Sequence, residues 1–565
     1  MQRRTSRGWR RALLLASLLI VFLLLFASAL PIPPPGATRA SVSSAPPRTI
    51  LDTDINPYGA NFFLHHEAEP WKIEKTFQMA REAGIGWAKQ HFPWEELELR
   101  KDRFWDDRLN KSTWEKYDRI VDEALKNNIQ VIARLDRPPA WTRVDNSVPE
   151  RPPDNFEDYG DFVHAVVSHF KGRVYYYQIW NEPNIYPEWG DQSIDAAGYT
   201  RLLEIAYRRA KEADPNVRIL SAPLAQTLET NTRNLSELVF LNQMYEHGAQ
   251  NSFDILFANG YGFDRPPDDA PDPNVLNFAR VTLVREIMER HGDGGKPIWF
   301  NEFGWNASPD SLPRDKLLWG QVTEQQQADY TAQAIRLARE RWPWAGVFNI
   351  WYFRQAGQIS PERADYYFRM VDTGFTPRLV YGTIKKATES IGISGPGIYQ
   401  ASNPAVIYQG NWALNFRPDG GGRILRVTQS PGASATIHFR GSDITLLTER
   451  GPEAGTILVT VDGGAANLIA NDRQGRSSID LHAPTQEQRV EIPIASGLGS
   501  GEHILRMTLA PSGVDGRGSS FAIDGFVVEE NESGLPIAPG VLLGLGLALT
   551  GVSGAMVFVL RRRPG

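Results

Sequence analysis

Between residues 58 and 353 eight short runs of β-branched and aromatic residues alternate with longer amphipathic stretches, and this alternation limits the fold more than any other feature of the chain. The strand candidates are YGANFFL (58–64), GWAKQHF (86–92), IQVIARL (129–135), VYYYQIW (174–180), VRILSAP (217–223), FDILFAN (253–259), PIWFNEF (297–303) and GVFNIWYF (346–353). Stretches such as WEKYDRIVDEALKNN and YTRLLEIAYRRAKEA between them carry apolar residues at helical spacing. Eight βα units over some 300–350 residues predict a (β/α)8 barrel spanning 51–395. No glycine-rich nucleotide fingerprint follows the first strand, which argues against a doubly wound dinucleotide-binding sheet.

At 565 residues the chain is too long for one core, and its texture changes near residue 395. SATIHFRGSDITLLTERG, GTILVTVDGG and SSFAIDGFVVEE are short alternating runs divided by Gly, Asp and Ser turns. They predict an antiparallel, jelly-roll-like β-sandwich over 396–530.

The termini are apolar. MQRRTSRGWRR leads into ALLLASLLIVFLLLFASAL, so residues 1–30 read as a signal peptide or signal anchor, followed by a Pro-, Ser- and Ala-rich linker at 31–50. An uncharged stretch at 535–560 is long enough for a transmembrane helix and precedes a basic tail, 561–565. Basic residues at both ends place the rest of the chain outside the cytoplasm, on the cell membrane. A net charge of −6 argues against nucleic acid as a partner, and the absence of cysteine excludes thiol chemistry and Cys-zinc sites. Oligomeric state is not legible.

Two of the strand runs end in Asn-Glu: QIWNEPN (178–184) and PIWFNEFGW (297–305). Glu182 closes the fourth strand and Glu302 the seventh, 120 residues apart, at the C-terminal rim where barrel enzymes build their sites. Strict alternation puts Tyr176, Gln178, Trp180 and Glu182 on one face, and Ile298, Phe300 and Glu302 on one face, so that both carboxylates point into the barrel mouth. A protonated carboxyl facing an ionised one is what glycoside hydrolysis requires. A third Asn-Glu pair, Asn531-Glu532, lies in a polar spacer.

The motifs WNEPN and FNEFGW, together with HFPWEELE and RPPAW, resemble those of the clan of retaining glycoside hydrolases that includes families 5 and 39 (cellulase-like and β-xylosidase-like enzymes). The resemblance implies Glu182 as acid/base, Glu302 as nucleophile and Asn181 as partner of the sugar 2-hydroxyl. It further implies Tyr261 as contact of the nucleophile and Trp351 as floor of the sugar site. Lys89 stands where the clan usually carries arginine, and Asn259 where it often carries histidine. Trp141 and Trp305, near strand ends, are candidate groove residues. The implied reaction is double displacement on an oligo- or polysaccharide, with carboxyl groups about 5–5.5 Å apart and no metal or cofactor. A transglycosylase would use the same residues, and a non-catalytic glycan-binding protein would keep the barrel as scaffold. His65 and His66, if on a strand, point to opposite faces and share no ion. The C-terminal part resembles galactose-binding-like jelly rolls, with Tyr408 and Trp412 as its candidate sugar platforms.

Overall fold

The structure, a computed structural model, describes residues 48–530 except 358, 390–391, 418–422, 500 and 512–518. The signal or anchor segment (1–30), most of the linker (31–50), the apolar segment 535–560 and the tail 561–565 therefore lie outside the described residues. Among the described residues no helix is long and apolar enough to cross a membrane.

Eight parallel strands form the first domain: β1 (Tyr58–Phe62), β2 (Trp87–Pro93), β3 (Gln130–Asp136), β4 (Tyr176–Ile179), β5 (Arg218–Leu220), β6 (Leu256–Tyr261), β7 (Ile298–Gly304) and β8 (Ala345–Ile350). Their order is β5-β4-β3-β2-β1-β8-β7-β6, and a parallel bridge from Leu220 to Ile255 closes the ring between β5 and the approach to β6. Each strand leads to a helix: α1 (Pro70–Glu82), α2 (Trp114–Lys126), α3 (Phe156–His169), α4 (Ala196–Ala213), α5 (Glu237–Glu246), α6 (Val281–Arg290), α7 (Glu324–Arg341) and α8 (Leu379–Thr388). Local chemistry starts several of them. Proline occupies the first turn of α1, Asn155 and Asp195 cap α3 and α4, and Thr323 with Gln326 forms a capping box on α7.

Two apolar layers hold the barrel. Its interior is filled by Trp87, Ile132, Tyr176, Leu220, Phe257, Trp299 and Val347. Within that layer Trp87 meets Tyr176 and Trp299 edge-on, at 5.0 and 4.9 Å, while Tyr176 stacks on Trp299. The outer layer lies between strands and helices and includes Phe77, Val121, Phe162, Leu203, Phe300 and Phe348.

Beyond residue 396 two antiparallel sheets face each other. One runs Ala413–Arg417, Arg423–Thr428, Phe521–Glu529, Asp443–Arg450, Glu487–Ala495, with Gly397–Gln400 also on Phe521–Glu529. The other runs Val406–Gln409, Ser434–Arg440, Glu502–Leu509, Thr456–Val461, Gly464–Ala465. Alternate residues such as Ile437, Phe439, Val459, Leu505, Ile523 and Phe526 form its core. The sandwich is fixed to the barrel by Asp54, whose buried carboxylate accepts from the Gln400 backbone at 2.7 Å and the Asn403 amide at 2.9 Å. Tyr408 and Trp412 are not free platforms. Their rings pack edge-to-face, Trp412 also meets Phe521, and the Tyr408 hydroxyl is spent on the Ala401 carbonyl.

Candidate active site

Glu302 lies at the mouth, 7% exposed, with a donor on each oxygen. Lys89 Nζ donates to Oε1 at 3.0 Å and Tyr261 OH to Oε2 at 2.9 Å. Both donors come from strands, β2 and β6, so a rigid frame sets their positions. Two accepted hydrogen bonds, one from a cation, suit an ionised carboxylate. Burial brings Lys89 down to about 8, partly offset by Glu302.

Strict alternation does not deliver Glu302 to the mouth. Ile298 and Phe300 face the helices, while Trp299 points into the barrel. Between Phe300 and Glu302 the register against β6 slips: Phe300 pairs with Ala258 and Glu302 with Asn259, so β7 carries one extra residue. This β-bulge, also seen against β8, re-aims Glu302 inward.

The fourth strand departs in a different way. Tyr176 lies in the barrel interior, but the strand stops at Ile179 and Trp180 turns outward against Tyr159 and Trp189. Trp180 (φ 69°) and Glu182 (φ 41°) both adopt left-handed backbone, which alternation cannot foresee. The turn is held by the Glu182 N–H, which donates to the Pro223 carbonyl at 3.0 Å, and by the Asn184 side-chain amide, which exchanges hydrogen bonds with the Ala225 backbone. Burial, then the charges of Glu302 and Glu188, push the Glu182 carboxyl well above the ordinary range, against Arg134 and Lys89. The Asn259 amide donates to Glu182 and accepts from Asn301 Nδ2 at 2.9 Å, so the residue standing in place of histidine links the two Asn-Glu motifs.

The remaining candidates divide. Asn181 is buried, its amide oxygen accepting from Gln178 Nε2 at 3.4 Å. Trp351 borders the aromatic group of Tyr261, Tyr352 and Phe368, and its buried Nε1 has no hydrogen-bond partner among the described residues. Trp305 belongs to the packing: it is 1% exposed, bonded to the Arg265 carbonyl at 2.7 Å and pressed over Gly262, where a Cβ would collide with the indole. Trp141 is half-buried, edge-on to Trp94 and bonded to the Glu98 carbonyl. His65 and His66 occupy a 3-10 turn with ring centres 3.8 Å apart, not a strand.

Four more side chains at the mouth escaped the sequence reading. His91 and Arg134 both bind Asp136, Arg134 at 2.6 Å, and Glu188 approaches Arg134 at 3.9 Å. Burial would push Asp136 up, but Arg134 and His91 hold it well below the carboxylate range. Glu188 is raised to about 7 by burial, against Arg134. Parity was the available signal: His91 follows Lys89 by two on β2, and Arg134 and Asp136 follow the interior residue Ile132 on β3.

The model of Glycosyl hydrolase family 10 matches residues 73–242, from α1 into α5, a stretch that contains Glu182. No curated protein matches the chain. Among solved structures it is similar to a family 39 glycoside hydrolase from the gut symbiont Bacteroides cellulosilyticus WH2, at 16% identity over 81% of this chain and 82% of that one, with a TM-score of 0.45. A family 39 enzyme from Xanthomonas axonopodis pv. citri gives 14% identity over 83% and 96% of the two chains, TM-score 0.45. A monomeric β-xylosidase from Caulobacter crescentus CB15 gives 15% over 82% and 97%, TM-score 0.42.

Proposed function

We propose that this glycoside hydrolase barrel cleaves O-glycosidic bonds of an oligo- or polysaccharide by double displacement with net retention. The observation that carries the reading is the contrast between two carboxyls at one mouth. Glu302 has a donor on each oxygen, whereas burial and neighbouring negative charge favour the protonated form of Glu182. In this reading Glu182 protonates the departing oxygen as Glu302 attacks the anomeric carbon. The Glu302–sugar bond forms as the bond to the leaving oxygen breaks. Glu182, now ionised, takes a proton from water, and the hydroxide displaces Glu302 to release the sugar. Tyr261 and Lys89 keep Glu302 in place, Trp351 floors the sugar site, and Asn181 serves the 2-hydroxyl. The apolar segments 1–30 and 535–560 support an extracytoplasmic enzyme tethered to the cell membrane.

A panel of aryl glycosides tests the assignment. Glu182→Gln should retain its first step on substrates whose leaving group needs no proton and lose about 10²–10⁴-fold on the others. Glu302→Gln should be inactive on all of them. Equal activity of both variants and the wild type would overturn the reading.

A further inference from the structure

At the end of the barrel opposite Glu182 and Glu302, the segments that precede β1, β2 and β3 face the sandwich across a cleft of about 200 Å³. The barrel contributes Asn128, in the turn between α2 and β3, and Gln130, the first residue of β3. The sandwich contributes Arg426, on the strand Arg423–Thr428, with Leu414 opposite it on the paired strand and Tyr408 from the other sheet.

A sheet face turned toward another domain accounts for Leu414 and Ile424, both buried, but not for the arginine beside them. Arg426 is half-buried, and its guanidinium makes no hydrogen bond or ion pair with any described residue. It lies 5.3 Å from the centre of the Tyr408 ring, and no residue lining the cleft is a carboxylate. On the barrel side Asn128 takes the left-handed backbone (φ 59°) that ends α2, which explains an asparagine there but leaves its side chain unassigned. The carboxamides of Asn128 and Gln130 are hydrogen-bonded to no described residue. A guanidinium offers paired donors to a carboxylate, and carboxamides offer a donor and an acceptor to neighbouring hydroxyls. These groups come from different domains and line one cleft.

We propose that this cleft binds a carboxylated sugar, its carboxylate on Arg426 and its hydroxyls on Asn128 and Gln130. A neutral sugar would leave Arg426 unpaired, and a bare anion would leave both carboxamides unengaged. The ligand spans barrel and sandwich beside their joint, since Asn403, which donates to Asp54, lines the same cleft.

Isothermal titration of the full chain with glucuronate, glucose and inorganic phosphate tests the site. Glucuronate should bind about 10–100-fold more tightly than glucose or phosphate. Arg426→Met should bring glucuronate down to the level of glucose, and Arg426→Lys, with the charge but not the fork, should fall between. Asn128→Gly keeps the left-handed turn and should weaken glucuronate while leaving phosphate unchanged. All three variants should hydrolyse aryl glycosides at the wild-type rate, because the cleft lies at the other end of the barrel. Equal affinity for glucuronate and phosphate would mean a site for bare anions and would overturn the proposal. So would the absence of saturable glucuronate binding, or binding that Arg426→Met and Asn128→Gly leave unchanged. Wild-type inactivity on every glycoside would instead overturn the glycosidase reading.

Discussion

Lys89 and Glu302, on strands β2 and β7, meet across the barrel mouth at 3.0 Å with the lysine 3% exposed. Truncating one partner of such a pair leaves a buried carboxylate short of a donor and free to rotate. Lys89→Met should therefore lower kcat by about 10²–10³-fold, measured on activated aryl glycosides so that the first step is read. Lys89→Arg, which keeps the charge, should lose less. Equal losses would mean that volume, not charge, is what the site needs there.

The acid should also weaken the fold that carries it. Glu182 is raised in the native state, so below the ordinary carboxylate range both folded and unfolded chains hold the proton. Above it the unfolded chain ionises while the folded one resists, and stability falls as pH rises toward the native value. Glu182→Gln should therefore raise Tm at pH 7–8, with the gain vanishing near pH 4. A calorimetric series over that range checks it, and a gain independent of pH would contradict the linkage.

Trp299 tests the inner layer. It touches both Trp87 and Tyr176 and donates its Nε1 to the Asp52 carbonyl at 2.8 Å. Trp299→Ala should cost about 3–5 kcal/mol in denaturant unfolding, the usual range for a buried indole.

Asp54 tests the joint between the domains. Asp54→Leu leaves the Gln400 N–H and the Asn403 amide without their acceptor, at roughly 1–3 kcal/mol each. The sandwich should then melt separately from the barrel, giving two calorimetric transitions where the wild type gives one, while hydrolysis at the far end of the barrel is retained.

Much of this architecture was legible in the sequence. All eight barrel strands fall within a few residues of the runs that predict them, because strands buried on both faces read as dense apolar segments. Helices α5, α6 and α8 were not singled out. Each is ten residues long, and α5 leaves an apolar side chain, Val239, exposed outside its core-facing set. The pairing of Glu302 with Tyr261 was anticipated from the motifs. The route by which each glutamate reaches the mouth was not, because a bulge and two left-handed residues depend on the neighbouring strands and loops. Trp305 shows the same limit from the other side: its position near a strand end suggests a groove, but Gly262 opens space for the indole to be buried.

The bulge in β7 makes the position of Glu302 a matter of counting. Were β7 regular with Asn301 retained, Glu302 would share the face of Ile298 and Phe300 and turn toward the helices, whereas deleting Asn301 would set Glu302 directly after Phe300 and keep it inward, opposite Asn259. The frame of β7 is thus a switch for the site that no substitution scan of its side chains would reveal.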